Sequence, residues 1–361
     1  MTDTNATPHA ASSAPAVRGD AHDGAPLLEV RGLTVVYDTA SGPATAVDNV
    51  DLRVNPGEFV AVVGESGCGK STLLFGIAQL LNSPARIASG EVLFRGRNLV
   101  AMNDKQLAPL RWRNMSLVMQ SAMNALNPVT RIGEQYADTM RAHGVKSRAE
   151  ITKRAEEVLA LVGIDKIHLR SYPHQLSGGM RQRAMIAMAL LFEPELIIMD
   201  EPTSALDVVA QRSLMLQIKE LQLRLGFAVL FVTHDMSLVS HFSDQLLVMY
   251  AGQEVEFGAT RTVFDTPAHP YSKGLLEAFP SIRGPRVPLV GIPGAPPSLT
   301  AVPPGCRYEP RCPVAYAACR TVEPQLYQVG DVVARCLLYS PHDQPSAVGA
   351  PVGTTPKEGE L

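Results

Sequence analysis

From Gly64 to Ser71 the chain reads "GESGCGKS". It fits the pattern G-x-x-x-x-G-K-[ST], and its flanks supply the context that pattern needs. The preceding "FVAVV" (Phe59–Val63) reads as a buried strand. The segment from Thr72 to Leu81 reads as a helix with Leu73, Leu74, Ile77, Leu80 and Leu81 on one face. Gly64, Gly67 and Gly69 permit a tight loop whose backbone N–H groups turn inward, and the helix N-terminus adds positive partial charge. Lys70 is then placed to reach the terminal phosphates of a nucleotide and Ser71 to take Mg²⁺, with Glu65, Ser66, Cys68 and Thr72 completing the nucleotide-binding run. Cys68 reads as a small spacer. A helix N-terminus can lower a thiol pKa, so oxidation sensitivity there is a secondary expectation.

Asp200 lies 130 positions beyond Lys70, in "ELIIMDEP" (Glu195–Pro202). Four apolar residues ending in two carboxylates predict a buried strand that delivers acids to its C-terminal end, where parallel α/β sheets bind their ligands. Asp200 is placed to hold Mg²⁺ and Glu201 to orient or polarise an attacking water. Between the two motifs, "HQLSGGMRQRAMIAMALLFEP" (His174–Pro194) predicts a helix from Ser177, with Met185, Met188, Ala189 and Phe192 at helical spacing, ending at Glu193-Pro194. Ser177, Gly178 and Gly179 make a second anion site, more than one nucleotide needs from one chain. Met115 and Met119 in "MSLVMQ", like Met185 and Met188, read as core. On the N-terminal side, "LEVRGLTVVY" (Leu28–Tyr37) and "TAVDNVDLRV" (Thr45–Val54) alternate as two antiparallel strands around a Gly42-Pro43 turn.

Composition limits what such a chain can be. Of 361 residues 19 % are charged and the net charge is −3, which leaves no electrostatic footprint for nucleic acid. No run of 18 apolar residues occurs, so no membrane span is expected, and the Ala/Ser/Thr/Pro-rich residues 1–26 read as a disordered tail without a secretory signal, on a cytoplasmic protein. Four of the five cysteines (Cys306, Cys312, Cys319, Cys336) crowd into residues 306–336. A reducing compartment disfavours disulfides, which makes a shared metal or cluster the first guess. The spacing lacks the close Cys pairs common in structural zinc sites. Thiolate-only ligation and Cys312-Pro313 suit an iron–sulfur cluster, although no ferredoxin spacing is matched. Zinc and unligated thiols stay open.

"LSGGM" shortly before the acidic strand, with "GESGCGKS" upstream, resembles the signature of ATP-binding cassette (ABC) proteins. The resemblance implies an α/β P-loop core with an antiparallel β subdomain, a helical subdomain at about 121–192 and a small Cys-rich C-terminal extension. It also implies two such domains packed head to tail, with Ser177, Gly178 and Gly179 closing on the partner's ATP. Family roles then fall on Tyr37 (adenine stacking), Gln120 (sensing Mg²⁺ and water), Ser204 and Asp207 of "SALD" (the interface loop) and His234 (the γ-phosphate). A DNA-maintenance ATPase would need a long coiled coil between the motifs, and a two-cassette translation factor a second phosphate loop; the sequence has neither.

The tail narrows the branch. "HPYSKGLLEAFP" (His269–Pro280), "GIPGAPPSL" (Gly291–Leu299) and "GCRYEPRCP" (Gly305–Pro313) resemble the oligopeptide/dipeptide importers, over about residues 28 to 340. The domain expectation is a tail at 1–26, a nucleotide-binding domain at 27–265, the importer-type extension at 266–340 and a disordered 341–361. The resemblance implies an ATPase on the cytoplasmic face of the membrane, powering peptide uptake by dimer closure. Lys70, Gln120, Glu201 and His234 would be catalytic and Ser71, Gln120 and Asp200 would hold Mg²⁺. It implies a second ATPase (copy or paralogue), two transmembrane permease subunits and, indirectly, an extracytoplasmic substrate-binding protein. It further implies a [4Fe-4S] cluster on Cys306, Cys312, Cys319 and Cys336. Uptake of nickel or oligosaccharides, and a soluble ATPase with a redox-sensing metal module, are the alternatives.

Overall fold

A computed structural model describes residues 24–40, 42–120, 125–204, 206–278 and 291–342. Most of both expected tails, residues 121–124 at the start of the helical subdomain, Ala205 of "SALD", and Phe279 and Pro280 of "HPYSKGLLEAFP" lie outside the described residues.

Strands β1 (Leu28–Thr39), β2 (Gly42–Val54), β4 (Ala85–Phe94) and β5 (Arg97–Asn98) form an antiparallel sheet in the order β2-β1-β4-β5. The second sheet has eight strands. Its parallel part runs β9 (Gln245–Tyr250), β3 (Phe59–Val63), β8 (Ala228–Val232), β7 (Leu196–Asp200) and β6 (Met115–Val118). Beyond β9 it continues antiparallel with β10 (Gln253–Ala259), β12 (Val332–Ala334) and β11 (Tyr327–Val329).

The runs of apolar residues in β3, β7 and β8 are buried throughout because both faces of the parallel sheet are covered. Val60, Val62, Ile198, Leu230 and Leu247 pack with the antiparallel sheet and α1 (Lys70–Ile77). Phe59, Ala61, Val63, Ile197, Phe231 and Val248 pack into the other core, with the helices. Those helices are α3 (Ile132–Ala142), α4 (Arg148–Leu161), α5 (Gly178–Ala189), α6 (Val208–Leu225) and α7 (Met236–Phe242). Three further short helices complete the described α-helices: α2 (Asp104–Leu107), α8 (Thr260–Asp265) and α9 (Pro270–Glu277). Tyr136 on α3 is fully buried and its OH donates to the Ala184 carbonyl of α5 at 2.6 Å. Arg154 on α4 donates to the Leu190 and Leu191 carbonyls at 2.8 Å each, satisfying acceptors left open past the end of α5. Among the described residues no helix is long and apolar enough to cross a membrane.

Several local expectations are corrected. The helix after the phosphate loop starts at Lys70 and stops at Ile77, because Gln79 turns left-handed (φ 55°) and Leu80, expected on the apolar face, is 38 % exposed. Gly42 and Pro43 lie inside β2, opposite Thr39 and Asp38, where the end of the ladder tolerates a missing N–H. Helix α5 ends at Ala189, before Phe192. Met119 falls beyond β6 and is 44 % exposed, so it is not core.

Residues 291–342 join the main sheet through β12, whose Val333 and Ala334 pair with Phe257 and Glu256 of β10. A buried ion pair fixes this edge. Arg335 Nη2 lies 3.5 Å from Glu254 Oε1, with the two side chains 4 % and 1 % exposed. Glu254 Oε2 also accepts the Asp51 N–H from β2 at 2.8 Å, so one carboxylate ties together the two sheets and the C-terminal segment. Burial raises the Glu254 carboxyl pKa, and Arg335 and the Asp51 N–H oppose that rise. Arg335→Met is expected to destabilise the chain by about 3 kcal/mol in urea unfolding, because a buried acid loses its partner. With Arg335 in place burial already holds the folded Glu254 carboxyl up at about 8, and losing Arg335 raises it further. Both proteins therefore keep that proton below about pH 8, and the deficit should grow only as the pH rises above about 8, where wild-type Glu254 ionises and the variant's does not. The double variant Glu254→Gln/Arg335→Met should recover part of the loss and flatten this pH dependence.

Candidate functional site

Four neighbouring parallel strands, β3, β8, β7 and β6, all end on the same side of the sheet. Each carries a functional group at or just past its last residue: the phosphate loop after β3, His234 after β8, Asp200 and Glu201 at the end of β7, and Gln120 after β6. This is the carboxyl edge at which open α/β sheets bind ligands.

In the phosphate loop, Lys70 Nζ donates to the Gly64 carbonyl at 2.8 Å and the Glu65 carbonyl at 2.9 Å, and its side chain is buried. An ammonium has three donors, and the third meets only the Cys68 Sγ at 3.9 Å, a weak acceptor that a phosphate oxygen can displace. Ser71 Oγ donates to Asp200 Oδ1 at 3.0 Å, which brings the two expected Mg²⁺ ligands together across the sheet. Burial pushes the Asp200 carboxyl up, and the hydrogen bond from Ser71 and the charge of Lys70 pull it back. Tyr37, half-buried at the rim of the antiparallel sheet, lies 3.2 Å from the Thr72 hydroxyl, beside the start of α1. Ser66 and Gly67 are exposed at the loop's outer turn.

Glu201 sits with φ 44°, an uncommon backbone conformation for a residue with a side chain, and its N–H donates to the Val232 carbonyl. Its carboxylate is held from two sides. Gln120 Nε2 donates to Oε2 at 2.7 Å, and His234 Nδ1 lies 3.4 Å from Oε1. The ring of His234 is 68 % exposed and open to a ligand.

Other expected site residues are not brought here. Ser177 caps α5, its Oγ accepting the Met180 N–H at 3.3 Å, while Gly178 and Gly179 open the helix; a Cβ on Gly179 would meet nothing within 4 Å. Asp207 caps α6 by accepting the Ala210 N–H at 2.9 Å, and Ser204 is exposed. No described hydrogen bond links these groups to the phosphate loop of their own chain. The expected sensitivity of Cys68 to oxidation is corrected: its side chain is 3 % exposed and burial raises the thiol pKa, outweighing the nearby Lys70.

The sequence reading missed a set of residues around Glu65. Tyr271 of α9 and Arg311 of the C-terminal segment bond to it, and the Tyr250 hydroxyl of β9 accepts from Arg311. Arg311 is 246 positions from Glu65. The only local sign was that "HPY" and "EPRCP" occur in the tail.

The four late cysteines line one cavity of about 20 Å³, together with His269, Tyr308 and Glu309. All four are free thiols. The segments that carry them are tightly apposed: the Cys306 N–H donates to the Cys319 carbonyl at 2.8 Å, and a Cβ on Gly305 would lie 2.4 Å from that oxygen. Burial pushes Cys306 up to about 12 and Cys336 up to about 11, and the neighbouring thiols add to both shifts. Among the described residues no three His, Cys, Asp or Glu side chains are spaced to share one metal ion. Four thiols are the donors an iron–sulfur group uses, and their intervals along the chain lack the close Cys pairs of structural zinc sites.

Two family models match the chain: "ABC transporter" over residues 47–204, and "Oligopeptide/dipeptide transporter, C-terminal region" over residues 255–319. The dipeptide transport ATP-binding protein DppD of Caldanaerobacter subterraneus subsp. tengcongensis is 39 % identical over 316 residues, 87 % of this chain and 97 % of that protein. The oligopeptide transport ATP-binding protein OppD of Salmonella typhimurium is 41 % identical over 300 residues, covering 82 % and 89 %. Among solved structures, the dimeric MJ0796 cassette, described as a bacterial ABC transporter cassette, superposes with TM-score 0.59 at 30 % identity, over 65 % of this chain and 99 % of that one. A second MJ0796 dimer, in a post-hydrolysis state bound to ADP and Pi, gives 0.58. Given the strand-end geometry and relatives that match across most of their own length, the chain belongs to the ABC transporter ATP-binding proteins of the oligopeptide/dipeptide type.

Proposed function

We propose that this chain is the ATP-hydrolysing subunit of a dipeptide or oligopeptide importer, working on the cytoplasmic face of the membrane. The observation that carries the reading is the Glu201 carboxylate, held between Gln120 and His234 and next in sequence to the Asp200–Ser71 pair. In this reading Lys70 binds the terminal phosphates, Ser71, Asp200 and Gln120 serve Mg²⁺, and Glu201 accepts a proton from the attacking water while His234 contacts the γ-phosphate. Tyr37 stacks on adenine.

Ser177, Gly178 and Gly179 lie at the start of a helix and make no described hydrogen bond to their own phosphate loop, which supports a head-to-tail pair in which each chain completes the other's site. The second ATPase is a copy or a paralogue. Exposed Ser204 and Asp207 face that interface, and two permease subunits and an extracytoplasmic binding protein complete the assembly. The names of the DppD and OppD relatives support peptides over nickel or oligosaccharides as cargo.

The finer part of the proposal is a [4Fe-4S] cluster held by Cys306, Cys312, Cys319 and Cys336. Four free thiols around one cavity support it. Bound there, the cluster would cross-link the loops of the extension. The chain's own part is to present four thiolates, with Gly305 allowing the close approach of two of the loops.

Two measurements test these readings. In the assembled transporter, Glu201→Gln should retain ATP binding but lose roughly 100-fold or more in turnover, with uptake of a radiolabelled dipeptide lost in parallel; wild-type turnover would refute the assignment. Protein purified without oxygen should carry about four iron and four acid-labile sulfide per chain, lost in Cys306→Ser or Cys319→Ser. One zinc per chain, or no metal, would overturn the cluster while leaving the ATPase reading intact.

A further inference from the structure

Glu65 is the second residue of the phosphate loop, and all three of its polar parts are held. Its carbonyl accepts from Lys70 Nζ at 2.9 Å, inside the loop. Its N–H points the other way and donates to the Tyr271 hydroxyl at 3.0 Å. Its carboxylate is gripped in a two-pronged ion pair by Arg311, Nη1 to Oε2 at 2.7 Å and Nη2 to Oε1 at 2.9 Å. The two outer contacts come from α9 and from the C-terminal segment, not from the cassette core.

Arg311 is built into this position. Its side chain is 5 % exposed. Besides Glu65 it donates to the Pro293 carbonyl through Nε at 2.8 Å, to the Ile292 carbonyl through Nη2 at 3.3 Å and to the Tyr250 hydroxyl through Nη1 at 3.2 Å. A guanidinium has five N–H groups, and five bonds are made. Tyr250, Tyr271 and Tyr308 pack against one another below it, with ring centroids 4.6 to 5.4 Å apart, so the head group stands on a rigid aromatic base. Such a planar fork matches a carboxylate in a way that a lysine cannot.

A carboxylate on a loop that receives a polyphosphate is unfavourable by itself, because like charges repel most strongly where water is scarce. We infer that Arg311 is a positioning residue for ATP binding: it neutralises Glu65 and, with Tyr271, fixes the outer side of the phosphate loop, so that the C-terminal segment sets the affinity of a site it does not touch. This extends the proposed function and rests on ATP occupying the phosphate loop.

The test is a double-mutant cycle on the full-length chain, reading the dissociation constant for Mg-ATP and the melting temperature of the free protein. Arg311→Met should weaken ATP binding about tenfold, since it loosens the loop and leaves Glu65 unpaired. Glu65→Gln should weaken it less. The double variant should bind no worse than Arg311→Met, because the two residues act as one unit. If Arg311→Met does not fold, Arg311→Lys keeps the charge without the fork and should still bind more weakly than wild type. An unchanged dissociation constant in a folded Arg311 variant, with only the melting temperature lowered, would reduce Arg311 to a structural residue and overturn the inference. So would single losses that multiply independently. Wild-type binding in the same titration separates this failure from failure of the ATP reading itself.

Discussion

Two main-chain oxygens leave room for the phosphate loop only if it has no side chain where it passes them. A Cβ on Gly64 would lie 2.2 Å from the Met249 carbonyl, and one on Gly69 would lie 2.1 Å from the Ala46 carbonyl. Both residues also have positive φ, 151° and 103°. The loop is thereby wedged between β9 of the large sheet and β2 of the antiparallel sheet. This close approach sets the start of α1 and the position of Lys70, and with them the place where Ser71 meets Asp200. Gly252 continues the contact, its N–H donating to the Cys68 carbonyl from the turn between β9 and β10.

The distribution of charge follows from the same sheet. Strands buried on both faces carry no ionisable side chains until they end, so acids, amide and imidazole collect at the carboxyl edge. Burial cost is then met locally: Ser71 and Lys70 serve Asp200, and Gln120 and His234 serve Glu201. The C-terminal segment repeats this logic at its own contacts. Arg335 answers Glu254, Arg311 answers Glu65, and Arg307 answers Asp48 while also donating to the Ala251 carbonyl. Three buried or nearly buried arginines therefore fasten one segment to both sheets. This makes the extension part of the cassette's architecture rather than an appended module.

Much of this was legible in one dimension because the signals are local. "GESGCGKS", "ELIIMDEP" and "LSGGM" each place their chemistry within a few residues of a strand or helix end, and the strands at 59–63 and 196–200 appear where the apolar runs fall. Local signals failed where termination depended on neighbours. Periodicity extended the first helix to Leu81, but the turn at Gln79, whose carbonyl accepts from Arg111, ends it at Ile77. The residue class of Met119 suggested core, yet the strand stops one residue earlier and leaves it at the surface.

Residue order alone was enough to set the chemistry of the ATP site, since glycine spacing, a lysine and strand-end acids are dictated by the ligand and stand close together along the chain. It also marked four late thiols as a group. Folding in three dimensions was needed to establish what holds these parts in place: that the segment carrying the thiols completes the large sheet, that Glu254 joins both sheets to Arg335, and that Arg311 reaches back 246 positions to Glu65. The reason is physical. An isolated Arg or Glu has no local pattern that reveals its partner, and long-range ion pairs exist only after two surfaces have been brought together and dried.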